Sequence, residues 1–190
     1  AYPSDDEAEY KKYKIPAVLV DCYGSGDSFF YSVRTDDRLG GYLATKYLIE
    51  QGHHRIAIVT GELKAHGVNS ERYQGYLDAL CEAGLTPAHD GLEVAEELAR
   101  TRRDITALFA SADITAIGLI NGLHAAGLRV PEDVSVIGFD DVEYAKMCYP
   151  GLTTIRQNIM EKGRQAARLM IEAVQDHSLP REERIIPMEL

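Results

Sequence analysis

Four charged residues, Asp21, Arg72, Asp113 and Asp140, each follow shortly after an apolar run. Carboxylates and a guanidinium gathered in one place would suit a polyhydroxylated ligand. Carboxylates accept from hydroxyls, and a guanidinium donates in a fixed fork. Phe109, an aromatic at the end of one such run, could cover the apolar face of a sugar or base. Each residue also has a plainer use: Asp113 as a helix N-cap, Arg72 in a surface ion pair, Asp140 as an acceptor of loop amides. A shared strand edge is what favours a site over these separate roles. Enzymatic patterns are missing, with no HExxH, no GxSxG and no readable Cys/His pairing. A binding protein rather than an enzyme is expected, with no cofactor, no metal and no catalytic residue. His53 and His54 follow a helix end, where the helix dipole or solvent would account for them.

The elements that must position these groups alternate. Ala17–Asp21, Phe29–Arg34, Arg55–Thr60, Ile105–Phe109, Val134–Phe139 and Leu152–Ile155 read as strands, and Arg184–Leu190 as a last one. Helices are expected over Leu39–Gln51 (capped by Asp36 or Asp37), Ser70–Glu82 (capped by Ser70), Ile114–Ala126 and Ile159–Gln175. A further helix is expected from Ser4 to about Tyr13, and another over Leu92–Arg100. Gly24–Ser28 (GSGDS) reads as a loop, because no phosphate-loop pattern accompanies it. Strand–helix alternation is the mark of right-handed βαβ units and a parallel sheet. It breaks after Gly84, where two helices follow one another and a strand near His89–Gly91 is missing from the pattern. The reading is therefore one nearly complete α/β lobe, residues 37–156, with pieces of a second lobe at 1–36 and 157–180.

Composition narrows the partners. The 190 residues carry 30 acids against 20 bases, a net charge of −10, and that argues against the chain itself gripping a phosphate backbone. No apolar run is long enough to cross a membrane, so no membrane partner is expected. The N-terminal AYPSDDEAEY does not look like a signal peptide. Three cysteines, Cys22, Cys81 and Cys148, lack CxxC spacing and read as free thiols in a cytoplasmic protein.

Several strings in fixed order carry a resemblance: TDDRLGG, LIEQGHHRIAIVTG, SERYQGY, TALFASAD, VPEDVSVIGFDD and PGLTTIRQ. Together they resemble the LacI/GalR family of bacterial transcription regulators, from about Ile15 to the C-terminus. The resemblance implies a two-lobed, periplasmic-binding-protein-like (type I) α/β fold of parallel sheets flanked by helices, with the N-terminal lobe incomplete in this chain. It implies residues 1–36 and 157–180 in the N-terminal lobe, and 37–156 and 181–190 in the C-terminal lobe. Crossovers would fall near Thr35–Asp36, Gln157 and the stretch after Leu179.

A small-molecule effector, a sugar or sugar derivative, would sit between the lobes. Operator DNA would be bound by a helix-turn-helix head that is absent from this chain, and a homodimer is implied. By position, Arg72 and Asp140 match the family's effector-binding arginine and aspartate, Asp21 a contact from the N-terminal lobe, Gln157 one near a hinge, and Phe109 a stacking position. The chain departs from the pattern at Ala112, where sugar-binding members commonly carry Asn. Arg72→Ala is expected to abolish effector binding and leave the fold intact. The competing reading is a periplasmic sugar-binding protein of a transport system.

Overall fold

The structure is a computed structural model that describes residues 16–23, 30–64, 67–88 and 104–190. Eight strands, four α-helices and one 3-10 helix (Glu143–Lys146) are present among them: β1 (Val18–Val20), β2 (Tyr31–Thr35), α1 (Asp37–Glu50), β3 (Ile56–Val59), α2 (Val68–Glu82), β4 (Ala107–Ala110), α3 (Asp113–Ala125), β5 (Ser135–Asp140), β6 (Thr153–Gln157), α4 (Ile159–Gln175), β7 (Glu183–Ile186) and β8 (Met188–Glu189). The helices expected near Ser4–Tyr13 and Leu92–Arg100, the GSGDS loop and the missing strand near His89–Gly91 lie outside the described residues.

Two sheets result. One has the order β1-β2-β7, and the other β3-β4-β5-β6-β8. Every pairing is parallel except β6 with β8. The second sheet is covered on both faces, and its strands show it residue by residue. Ile56, Ile58, Phe109, Ile137 and Phe139 face one core with Leu48, Tyr76 and Leu80 of α1 and α2. The residues between them, Ala57, Leu108, Ala110 and Val136, face the other with Leu119, Ile120 and Leu123 of α3. Alternate side chains of an all-apolar strand thus fill two cores, each fully buried large side chain contributing roughly 1.5–3 kcal/mol. The first sheet packs Tyr31, Val33 and Ile186 against Leu169 and Ala173 of α4.

Short crossovers join the two units. Chain passes from β2 to α1 at Asp36, from β6 to α4 at Asn158, and from β7 to β8 at Pro187. The tail therefore divides, where the sequence reading placed 181–190 whole in the second lobe. β7 pairs with β2 and only β8 pairs with β6. Proline has no amide hydrogen to offer a ladder, so a strand run breaks there and the chain changes sheets.

Three local expectations also change. The helix expected to start at Ser70 starts at Val68 after Gly67, and the Ser70 hydroxyl donates back to the Lys64 carbonyl at 2.5 Å. Asp113 is the first residue of α3 rather than its cap, which is Ala112 with no side-chain bond to give. His53 lies neither in solvent nor at a dipole alone. Its ring nitrogens lie 3.0 Å from the hydroxyls of Thr106 and Ser135, and burial lowers its pKa.

Candidate functional site

Asp140 is the last residue of β5, and its backbone has φ 120, in the left-handed half of conformational space; Asp141 follows at φ 54 and Asp21, just past β1, at φ 54. Non-glycine residues in such conformations cost energy and are held by their surroundings, most often at binding or catalytic sites. Two of the three strained aspartates belong to the predicted set.

Arg72 reaches this edge from the first turns of α2. It can do so because α1 and α2 pack with almost no side chain between them. A Cβ on Gly41 would lie 2.1 Å from the Arg72 carbonyl oxygen, and one on Gly75 would lie 1.9 Å from that of Arg38. The guanidinium is buried, with Nε and Nη2 each 2.8 Å from Asp37 Oδ1. Nη1 donates to the Ser111 carbonyl and lies 3.7 Å from Asp140 Oδ1. The guanidinium also stacks 3.7 Å above the centroid of the Phe139 ring. Asp36 serves as the N-cap of α1, accepting from Leu39 N, so the adjacent Asp37 is free to pair with Arg72.

From Asp140 the network crosses to the other unit. Gln157 Nε2 donates to Asp140 Oδ1 at 2.6 Å, and Gln157 Oε1 accepts from Lys162 Nζ at 2.6 Å and Thr35 Oγ1 at 3.1 Å. Lys162 Nζ also donates to both oxygens of Asp21, at 2.7 and 2.8 Å. The Tyr23 hydroxyl accepts from Asp37 N at 3.0 Å and lies 2.7 Å from Asp37 Oδ2. Burial raises the Asp140 pKa, and Arg72 and the Gln157 amide act against it. Burial beside the Asp37 carboxylate also pushes the Tyr23 phenol well up, keeping it protonated as a donor. The ends of β5 and β1 thus carry Asp140, which is one quarter exposed, and Asp21, which is two fifths exposed, over a buried bed of ion pairs. Such a surface can accept from hydroxyl or amine donors.

A family model described as a periplasmic binding protein-like domain matches residues 45–190. The HTH-type transcriptional repressor PurR of Haemophilus influenzae is 39% identical over 171 residues, covering 84% of this chain and 50% of that protein. A LacI family transcriptional regulator of Enterococcus faecium, solved with bound ribose, is 32% identical, with TM-score 0.84 over 98% of this chain and 72% of that one. The chain belongs to the LacI family. The transcription regulator CcpA of Lactococcus lactis is also similar, at 30% identity and TM-score 0.84, covering 97% of this chain and 71% of that one. The chain spans about half the length of the curated relatives it matches.

Of the six residues singled out in this LacI-family chain, Asp21, Arg72, Asp140 and Gln157 fall in one connected network. Asp113 and Phe109 are fully buried. Asp113 accepts from Thr154 Oγ1 at 2.5 Å and Val142 N at 2.9 Å, which ties the segment after β5 to β6, and burial raises its pKa. Its Oδ1 would lie 2.2 Å from a Cβ on Gly138, so a side chain there would displace the Asp113 carboxylate. Phe109 lies beneath Phe139, with ring centroids 6.4 Å apart, and it is Phe139 that meets the guanidinium.

Sequence reasoning missed Asp37, Tyr23, Thr35 and Lys162. Asp37 is visible in the sequence only as a candidate cap, and nothing there marks Lys162. Arg72 is also deeper than a surface ion pair. Its removal would leave Asp37 buried without its cation, so Arg72→Ala is expected to destabilise the fold, where the sequence alone suggested that the fold would stay intact.

Proposed function

We propose that this chain is the effector-binding part of a repressor-type transcriptional regulator, taking a small polyhydroxylated molecule, a sugar or sugar derivative, between its two lobes. The observation that carries the reading is the convergence of Asp140 from one sheet with Asp21 from the other, joined through Gln157 and Lys162 at a crossover. An effector touching both would bias how the lobes sit, and its differential affinity for the two arrangements would be the regulatory signal.

Asp21, Asp140 and Gln157 are the residues offered to the effector, with Arg72 behind them. Phe109 and Asp113 support the floor from below, through Phe139 and the segment after β5. DNA contact and pairing into a homodimer belong to the whole regulator, which would act in the cytoplasm and without catalysis. Support comes from relatives named as repressors and from the similar regulator solved with ribose. No feature of the chain favours the transport reading.

The test is calorimetry with D-ribose, other neutral sugars and nucleobases, on the wild type and on Asp140→Ala. Saturable binding lost in Asp140→Ala is expected. Binding of equal affinity in both proteins would remove Asp140 from the site. A gene without helix-turn-helix coding upstream of this region would remove the regulator reading.

A further inference from the structure

Lys162 lies in the first turn of α4 and is only 4% exposed. Lysines are seldom buried this deeply unless paired. Its ammonium has three hydrogens and no lone pair, so it only donates. The oxygen of the Gln157 carboxamide must therefore face Lys162, and its NH2 group is turned onto Asp140 Oδ1. The flipped carboxamide would set an oxygen against the Asp140 carboxylate and an NH2 group against the ammonium, two repulsions in a buried place. Thr35 Oγ1 donates to the same Oε1.

Asp140 needs that donor. Arg72 is committed to Asp37 and the Ser111 carbonyl, and comes no nearer to Asp140 than 3.7 Å.

We propose that Lys162 is a positioning residue: it locks the Gln157 carboxamide with its NH2 group on Asp140, and so joins Asp140 in the second lobe to Asp21 in the first. An effector that takes hold of Asp140 has to share it with an amide that cannot turn away. A change at Asp140 is passed through Gln157 and Lys162 to the loop carrying Asp21. The use of this link rests on the effector reading, but its geometry needs no effector.

The test is a pH titration of the unliganded chain by NMR. The Asp140 carboxyl is assigned by its loss in Asp140→Asn, and the Gln157 carboxamide by its loss in Gln157→Leu. In the wild type, the Gln157 carboxamide protons are expected to shift with the midpoint of Asp140. Lys162→Met frees the carboxamide and moves the Asp140 midpoint upward, because the charged carboxylate loses a steady donor. Gln157→Leu moves it upward as well, and the double variant shows no further rise.

A Gln157 carboxamide blind to the Asp140 titration, a measurement that needs no folded Lys162 variant, overturns the proposal. So does a Lys162→Met rise that persists in full on the Gln157→Leu background, since the lysine would then act by its charge alone. A failed sugar screen would leave all these titrations unchanged, which separates the two readings.

Discussion

Arg72 and Asp37 form the deepest ion pair at the site, and their energetics set what mutagenesis here can report. The Arg72 side chain is 8% exposed and that of Asp37 is 0% exposed, with Tyr23 closing the far side of the carboxylate. Removing one partner of a buried pair costs about 3–5 kcal/mol, because the other charge stays buried. Arg72→Ala is therefore expected to lower the free energy of unfolding read from urea denaturation by that amount, and Arg72→Met with Asp37→Leu to recover most of it. A single variant as stable as wild type would show that Asp37 is rescued by water or by protonation. Loss of ligand binding in Arg72→Ala alone thus says little about contact, and Asp140→Ala is the better probe. Asp140 was legible because a carboxylate ending an all-apolar run is hard to explain otherwise. Asp37 was not, because next to Asp36 in a helix start it offers only capping, and its partner is 35 residues away. Phe109 was read as a rim residue from its place at a strand end. Period-two alternation along β4 turns it into the core, and Phe139, immediately before the acids, takes the guanidinium instead.

Helix packing decides whether Arg72 arrives at all. Leu43, Tyr47 and Leu48 of α1 pack on the core, yet Leu39 is 46% exposed and the buried positions of the helix include Gly40, Gly41, Ala44 and Thr45. Counting large apolar residues misses such a face, because glycines bury backbone against backbone and leave no hydrophobic signal. Gly41→Ala is expected to cost about 1–3 kcal/mol from overpacking and to draw Arg72 away from Phe139 and Asp140. Gly118 in the middle of α3 is the control, since a Cβ there meets nothing within 4 Å. Gly118→Ala should instead stabilise by roughly 0.5–1 kcal/mol, the ordinary helix gain. Chemical denaturation of the two variants reads both signs, and a neutral Gly41→Ala would mean that the helices can separate freely. By contrast, α4 was legible to its ends, because Asn158 caps it through Glu161 N and its buried and exposed faces are well segregated.

At the scale of the molecule, the described residues of the two units differ in how much holds them. Those of the second lobe form two cores, with twelve and eleven buried residues, on either side of a five-stranded sheet. Among the described residues the first lobe has one, made by Tyr31, Val33, Leu169, Ala173 and Ile186 under a three-stranded sheet. Its helix α4 leaves Ile159, Met160, Ile171 and Val174 more than half exposed. The alternation of strands and helices disclosed the larger unit, whereas the smaller one is assembled from β1, β2, α4 and β7, which are spread from Val18 to Ile186 and carry no local sign of pairing. Regions with few buried apolar contacts open at lower free energy than the global transition. Native-state amide exchange of this chain should therefore show β1, β2, β7 and α4 opening together, well below the free energy at which β3, β4 and β5 open. The hydrogen bonds that Gln157 accepts from Lys162 and Thr35 cross between these units, so Gln157→Leu should lower the first group's protection and leave that of β3 and β4 unchanged. Equal protection across both groups would mean that the two lobes fold as one cooperative unit, and the crossovers could not then serve as hinges for a regulatory movement.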